Sequence, residues 1–236
     1  MITDLNQCKE IAISFLYIEP KPMKEFPIFI DHPVFETSVL ADSNMNMFNI
    51  FEEPDKFKAL LKVYEQRIQK CSSVASLMGI IRKNYRIVYF KYIVNYLSTK
   101  DYAEVLKEAY STVETPANDV NVSMNELCKF FRNGDRSLLV NKSLPEELTI
   151  YRGVREDSPK YRKCISWTLS YEKACWFATR FSETGTVYEC KVSRDVVLAY
   201  ISDRSEEEVI IDISKLPKNI KSIQVNNGVR LKSIHI

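Results

Sequence analysis

The hydrophobic period of the chain changes once along its length, and Gly134 marks the change. Upstream, Phe57, Leu60, Leu61, Tyr64 and Ile68 recur at the three- and four-residue intervals that gather apolar side chains on one helix face. Similar spacing predicts helices over about 74–82, 85–97 and 101–110, the last capped by Thr99. Ser123-Met124-Asn125-Glu126 is a capping-box signature for a further helix that Gly134 ends. Downstream the pattern becomes that of strands, at 148–154, 163–168, 186–192, 196–202, 206–213, 222–225 and 229–234, with Asn227-Gly228 as the hairpin turn between the last two. One helix interrupts them, 171–181, capped by Ser170. Helices first and strands afterwards make an α+β chain rather than an alternating βαβ one.

The 236 residues suffice for one well-buried unit, which divides by pattern into an irregular segment 1–53, a mainly helical part 54–145 and a strand-rich part 146–236. The first segment reads as loop with one or two edge strands, because Pro20, Pro22, Pro27 and Pro33 punctuate its short apolar stretches. Lysine and arginine (33) nearly balance aspartate and glutamate (31), so net charge argues for neither a nucleic-acid nor a membrane partner. Six cysteines without a CxxC pair, and only two histidines, argue against a zinc site and for free thiols in a reducing, cytoplasmic setting. Neither a secretory leader nor a membrane-spanning run is expected. Five glycines and no GxGxxG or GxxxxGK string exclude a glycine-rich phosphate cradle, so side chains would have to hold any nucleotide.

Three short stretches carry chemistry. Ser205-Glu206-Glu207-Glu208 leads three acids straight into Val209-Ile210-Ile211. On an extended strand Glu206 and Glu208 would share one face, about 6 to 7 Å apart, with Glu207 on the other. Upstream lie Tyr151-Arg152-Gly153 and Ser166-Trp167-Thr168. A guanidinium grips phosphate or carboxylate through parallel hydrogen bonds, and hydroxyls two apart on a strand can orient a carboxylate. A carboxylate held against a sugar stabilises positive charge developing there as a glycosidic bond breaks, while a second one steers the nucleophile. Each motif alone reads as readily as a solvated strand end, a structural ion-pair arginine or ordinary strand hydroxyls.

Together, Leu148-Thr149-Ile150-Tyr151-Arg152-Gly153, Ile165-Ser166-Trp167-Thr168 and Glu206-Glu207-Glu208-Val209-Ile210 resemble the arginine, Ser-x-Ser, Glu-x-Glu signatures of mono-ADP-ribosyltransferases, the branch of the actin-modifying binary toxins and the vertebrate ecto-enzymes. Trp167 stands where the family commonly has a small residue. The resemblance implies a helical half packed on two small, mainly antiparallel sheets, and NAD as co-substrate without a metal. It assigns Arg152 to the pyrophosphate or ribose side of NAD, the Gly153 backbone to the nicotinamide amide, Ser166 to orienting the catalytic carboxylate and Thr168 to the second hydroxyl position. Glu208 becomes the catalytic acid, and Glu206 the residue that positions the acceptor. Phe177, Arg180 and Phe181 become candidates for stacking on the ring or pairing with phosphate, although helical spacing alone would place the two aromatics in a core. The implied acceptor is a protein arginine, as for a bacterial or phage toxin or effector with a possible antitoxin or inhibitor protein. A nucleobase of RNA or DNA, or water in an NAD glycohydrolase, stays open, as does a non-catalytic binding domain. The basic run Arg155, Lys160, Arg162 and Lys163 reads either as a wet loop or as the lining of an NAD entrance or nucleic-acid track.

Overall fold

The computed structural model describes residues 2–112, 122–140, 142–155, 164–202 and 206–226. The chain is α+β and divides into two compact units, Met1–Asn121 and Val122–Ile236.

The first unit is built on helices α1 (Leu5–Leu16), α2 (Pro54–Gln69), α3 (Val74–Ile80), α4 (Arg86–Ile93) and α5 (Thr99–Thr112), with two small antiparallel ladders between α1 and α2. These pair β1 (Lys21–Pro22) with β2 (Ile30–Asp31) and β3 (Val39–Ala41) with β4 (Met47–Asn49). Helix α1 corrects the expectation of an irregular segment over 1–53. Asp4 caps it by accepting from the Gln7 N–H, and Cys8, Ala12, Phe15 and Leu16 supply a buried stripe. The cap of α5 is Ser98, whose hydroxyl accepts from the Asp101 N–H at 3.1 Å; Thr99 already lies within the helix. His32 ties the loop after β2. Its Nδ1 accepts from the N–H groups of Val34 and Phe35, both at 3.0 Å, which leaves Nε2 to donate to the Leu16 carbonyl at 3.3 Å.

The second unit opens with α6 (Met124–Asn133), where the capping box is present: Ser123 accepts from the Glu126 N–H, and the Glu126 carboxylate accepts from the Ser123 N–H. A short helix α7 (Arg136–Leu139) follows, then β5 (Glu147–Val154), β6 (Ser166–Thr168), α8 (Tyr171–Thr179), β7 (Thr184–Ser193), β8 (Val197–Ile201), β9 (Glu208–Ile211) and β10 (Lys221–Asn226). These strands form one antiparallel sheet in the order β10-β7-β5-β6-β9-β8. The expected two small sheets are therefore joined, but by a single register pair, Tyr151 with Thr168. One face buries Leu148, Ile150, Trp167, Val192, Val209 and Ile211. On the other, α8 lies against β5 and β7 around Ala174, Ala178 and Val187. The predicted turn Asn227-Gly228 and strand 229–234 fall outside the described residues.

Candidate functional site

Strand β5 alternates, with Leu148 and Ile150 buried toward the large core, so Arg152 emerges from that same side two residues further on. The half-buried guanidinium turns to β6, where Nη1 donates to the Ser166 carbonyl at 2.6 Å. Its Nε is buried and has no hydrogen-bond partner among the described residues. An unmet buried donor costs roughly 1–3 kcal/mol, a penalty that an incoming oxygen acceptor would remove. Gly153 faces the opposite way, under α8. A Cβ there would stand 1.9 Å from the Ala174 carbonyl oxygen, so the glycine is first a requirement of helix packing.

Strand β6 separates the two faces cleanly. Trp167 is buried in the core, with its indole N–H on the Cys164 carbonyl at 3.2 Å, and Ser166 and Thr168 lie on the other face. Thr168 stands directly across from Glu208 and Ser166 across from Ile210. The Ser166 hydroxyl donates to the Glu208 carboxylate in a short hydrogen bond. The Thr168 hydroxyl is instead engaged with backbone, donating to the Glu206 carbonyl at 2.7 Å and accepting from the Ser170 N–H at 3.0 Å. Two hydroxyls that look equivalent in sequence thus do different work: one meets a carboxylate, the other pins a turn.

That turn corrects the pleated-strand reading of the three acids. Strand β9 begins only at Glu208, and Glu207 sits in the left-handed region with φ 47°. Glu206 and Glu208 are therefore related by a turn and not by the alternation of a strand. The Glu207 carbonyl accepts from the Leu169 N–H at 3.1 Å, and its carboxylate pairs with Lys142 Nζ at 3.2 Å. Lys142 also donates to the Tyr200 hydroxyl at 3.3 Å and lies 4.9 Å from that ring's centre. The hydrogen bonds to Tyr200 and Glu207 raise its pKa above that of an ordinary ammonium. The Glu206 carboxylate makes no hydrogen bond or ion pair among the described residues, unlike that of Glu208. Lys142 and Tyr200 belong to no motif, and no spacing in the chain marks them.

Helix α8 ends in a cationic aromatic cluster rather than in core. Phe181 is 69% exposed, with the Arg180 guanidinium 4.4 Å and that of Arg155 5.5 Å from its ring centre. Arg180 also covers Trp176 at 5.1 Å, and Trp176 meets Phe177 edge-on at 5.0 Å. Of the basic run expected beside the first motif, Arg155 is the one described member, and Lys160, Arg162 and Lys163 lie outside the described residues. No cluster of metal-ligating side chains occurs among the described residues, and no described helix is long and apolar enough to cross a membrane. Comparison with protein-family models, curated proteins and solved structures found no match to this chain.

Proposed function

We propose that the second unit is an NAD-dependent mono-ADP-ribosyltransferase, which transfers ADP-ribose to a macromolecular acceptor, foremost a protein arginine, as a toxin or effector does. The observation that carries this reading is the Ser166 hydroxyl bonded to the Glu208 carboxylate on the strand that Arg152 also reaches, with the buried Arg152 Nε without an acceptor among the described residues. Arg152 leaves β5 on the core face while Ser166 and Glu208 stand on the other, so the reading requires a substrate that reaches around the single-pair join of β5 and β6, with a pyrophosphate at one end and a labile sugar bond at the other.

In this scheme Arg152 holds a phosphate or ribose oxygen of NAD, and Ser166 fixes the Glu208 carboxylate toward the ribose. Glu208 stabilises the positive charge that develops on the sugar as the bond from C1′ to the nicotinamide nitrogen breaks and nicotinamide leaves with the bonding pair. Glu206, with its carboxylate unengaged among the described residues, orients the acceptor and takes the proton that the acceptor nitrogen loses as it bonds to C1′. No metal enters the scheme.

A second reading keeps the donor chemistry and replaces the acceptor by a nucleobase. It is favoured by the exposed Phe181 with the guanidinium groups of Arg155 and Arg180 close to its ring, since an exposed ring beside cationic groups suits single-stranded nucleic acid. Incubation of the full chain with NAD labelled in its adenylate, together with a cell extract, followed by protease or nuclease, distinguishes the two. The first reading expects label released by protease and stable to nuclease, and the second expects the reverse. Absence of both label transfer and nicotinamide release would leave a non-catalytic binding domain.

A further inference from the structure

The feature of the site that the proposed chemistry does not use is the residue between the two working carboxylates. Glu207 carries a side chain in a backbone region that L-residues enter at a cost, with glycine as the usual occupant. The turn it makes is anchored on one side by backbone, through the Leu169 N–H on the Glu207 carbonyl and the Thr168 hydroxyl on the Glu206 carbonyl. On the other side the anchor is its own carboxylate, paired with Lys142. An ion pair between two half-exposed side chains is ordinarily a poor constraint, because each must surrender rotamer freedom to form it. Lys142 has a second anchor: its ammonium also donates to the hydroxyl of the buried Tyr200 on β8 at 3.3 Å, 4.9 Å from that ring's centre.

We propose that Lys142 and Glu207 are a positioning pair: Lys142, fixed on Tyr200, holds the Glu207 carboxylate and thereby the left-handed turn that sets Glu206 and Glu208 at their working separation. Neither residue touches the reacting atoms. The inference rests on the transferase reading above, since it concerns the same two carboxylates. A constraint at a distance from the chemistry matters because a displacement of about 1 Å at a reacting group costs roughly a hundredfold in rate.

The test uses the full-length chain and measures NAD turnover through nicotinamide release, as kcat and KM separately, beside the thermal midpoint. Lys142→Met and Glu207→Gln are each expected to lower kcat about tenfold or more, with KM for NAD within about twofold and the thermal midpoint unchanged. The double variant should be no worse than either single one, because both remove the same pair. Lys142→Arg, which keeps the charge, should recover most of the loss. Glu207→Gly separates the pair from the backbone, since glycine adopts the turn without strain but offers Lys142 nothing; it should be as impaired as Glu207→Gln. Added salt should lower the wild-type kcat and leave that of Lys142→Met unmoved. Wild-type kcat in Glu207→Gly, or additive losses in the double variant, would overturn the pairing while leaving the transferase reading intact. Wild-type protein that releases no nicotinamide overturns that reading first, and the pairing as a catalytic device with it.

Discussion

Three neighbouring glutamates carry three different environments, and their substitution should separate accordingly. Glu208 accepts from Ser166, Glu207 is tied to Lys142, and the Glu206 carboxylate has no hydrogen bond or ion pair among the described residues. On the transferase proposal Glu208→Gln keeps the shape and removes the charge proposed to face the sugar, so nicotinamide release and transfer are both expected to fall by about a thousandfold. Glu206→Gln should lower transfer by a factor on the order of a hundred while sparing hydrolysis of NAD to within about tenfold, because water needs less steering than a bulky acceptor. Steady-state assays of free nicotinamide and of label on the acceptor, run on the same samples, give both numbers. Equal losses in the two assays for Glu206→Gln would remove its role as the acceptor residue. The strands that carry Arg152, Ser166 and Glu208 were legible in the sequence to within a few residues, because apolar alternation marks them. The geometry of the three acids was not, because a single residue at φ 47° replaces the strand alternation on which the reading of spacing depended. The same limit applies to Ser166 and Thr168, where side-chain partners, and not identity, decide which hydroxyl serves the site.

At the scale of elements, local signals that carry their own hydrogen bonds were readable, and those that depend on a distant partner were not. The capping box at Ser123 and the Ser170 cap of α8 are closed within one turn of backbone. Helix α1 had the same kind of signal in Asp4 and in Cys8, Ala12 and Phe15, but the prolines that follow it dominated the reading of the segment. The seat of α8 on β5 and β7 could not be read at all. It requires Gly153 and Gly185 on adjacent strands, where a Cβ would stand 1.9 Å from the Ala174 oxygen and 2.2 Å from the Ala178 oxygen. Gly153→Ala should therefore displace α8 and cost about 3 kcal/mol or more, measured by denaturant unfolding, even if the Gly153 backbone also meets the nicotinamide. A loss below about 1 kcal/mol would mean that the helix yields without strain. A second long-range contact joins α6 to the end of β9. Arg132 Nε and Nη2 grip the two Asp212 carboxylate oxygens at 2.9 and 2.6 Å, and Ser214 donates to the same group. Asp212→Ala leaves Arg132 half-exposed and able to find water, so the expected cost is roughly 2–3 kcal/mol rather than that of a wholly buried pair.

For the whole molecule, each unit carries among its described residues one buried titratable group whose shift links folding to acid, and the two act in different pH windows. In the first unit burial lowers the His32 pKa from an ordinary 6.5 to about 4, with the nearby Arg82 charge adding to the effect while backbone hydrogen bonds and Asp31 oppose it. The unfolded chain then binds a proton that the folded chain refuses, so this stability is complete above pH 6.5 and is lost as pH falls toward 4. A shift of that size corresponds to roughly 3 kcal/mol at most. In the second unit the Arg132 hydrogen bonds lower the Asp212 pKa from an ordinary 3.8 to about 2. Its contribution, about 2 kcal/mol, is present above pH 3.8 and lost only as pH falls toward 2. Acid should therefore loosen the first unit before the second. Regional hydrogen exchange, corrected for the intrinsic pH dependence of the amide reaction, is expected to show protection within 2–112 declining between pH 6.5 and 4 while the β5, β7 and β9 amides stay protected. His32→Asn retains an acceptor near the Nδ1 position without a titrating ring, so it should flatten the decline in the first unit and leave the second unchanged. Loss of protection in both units at one pH, unaltered by His32→Asn, would show that a charge elsewhere governs acid unfolding and that the two units melt as one.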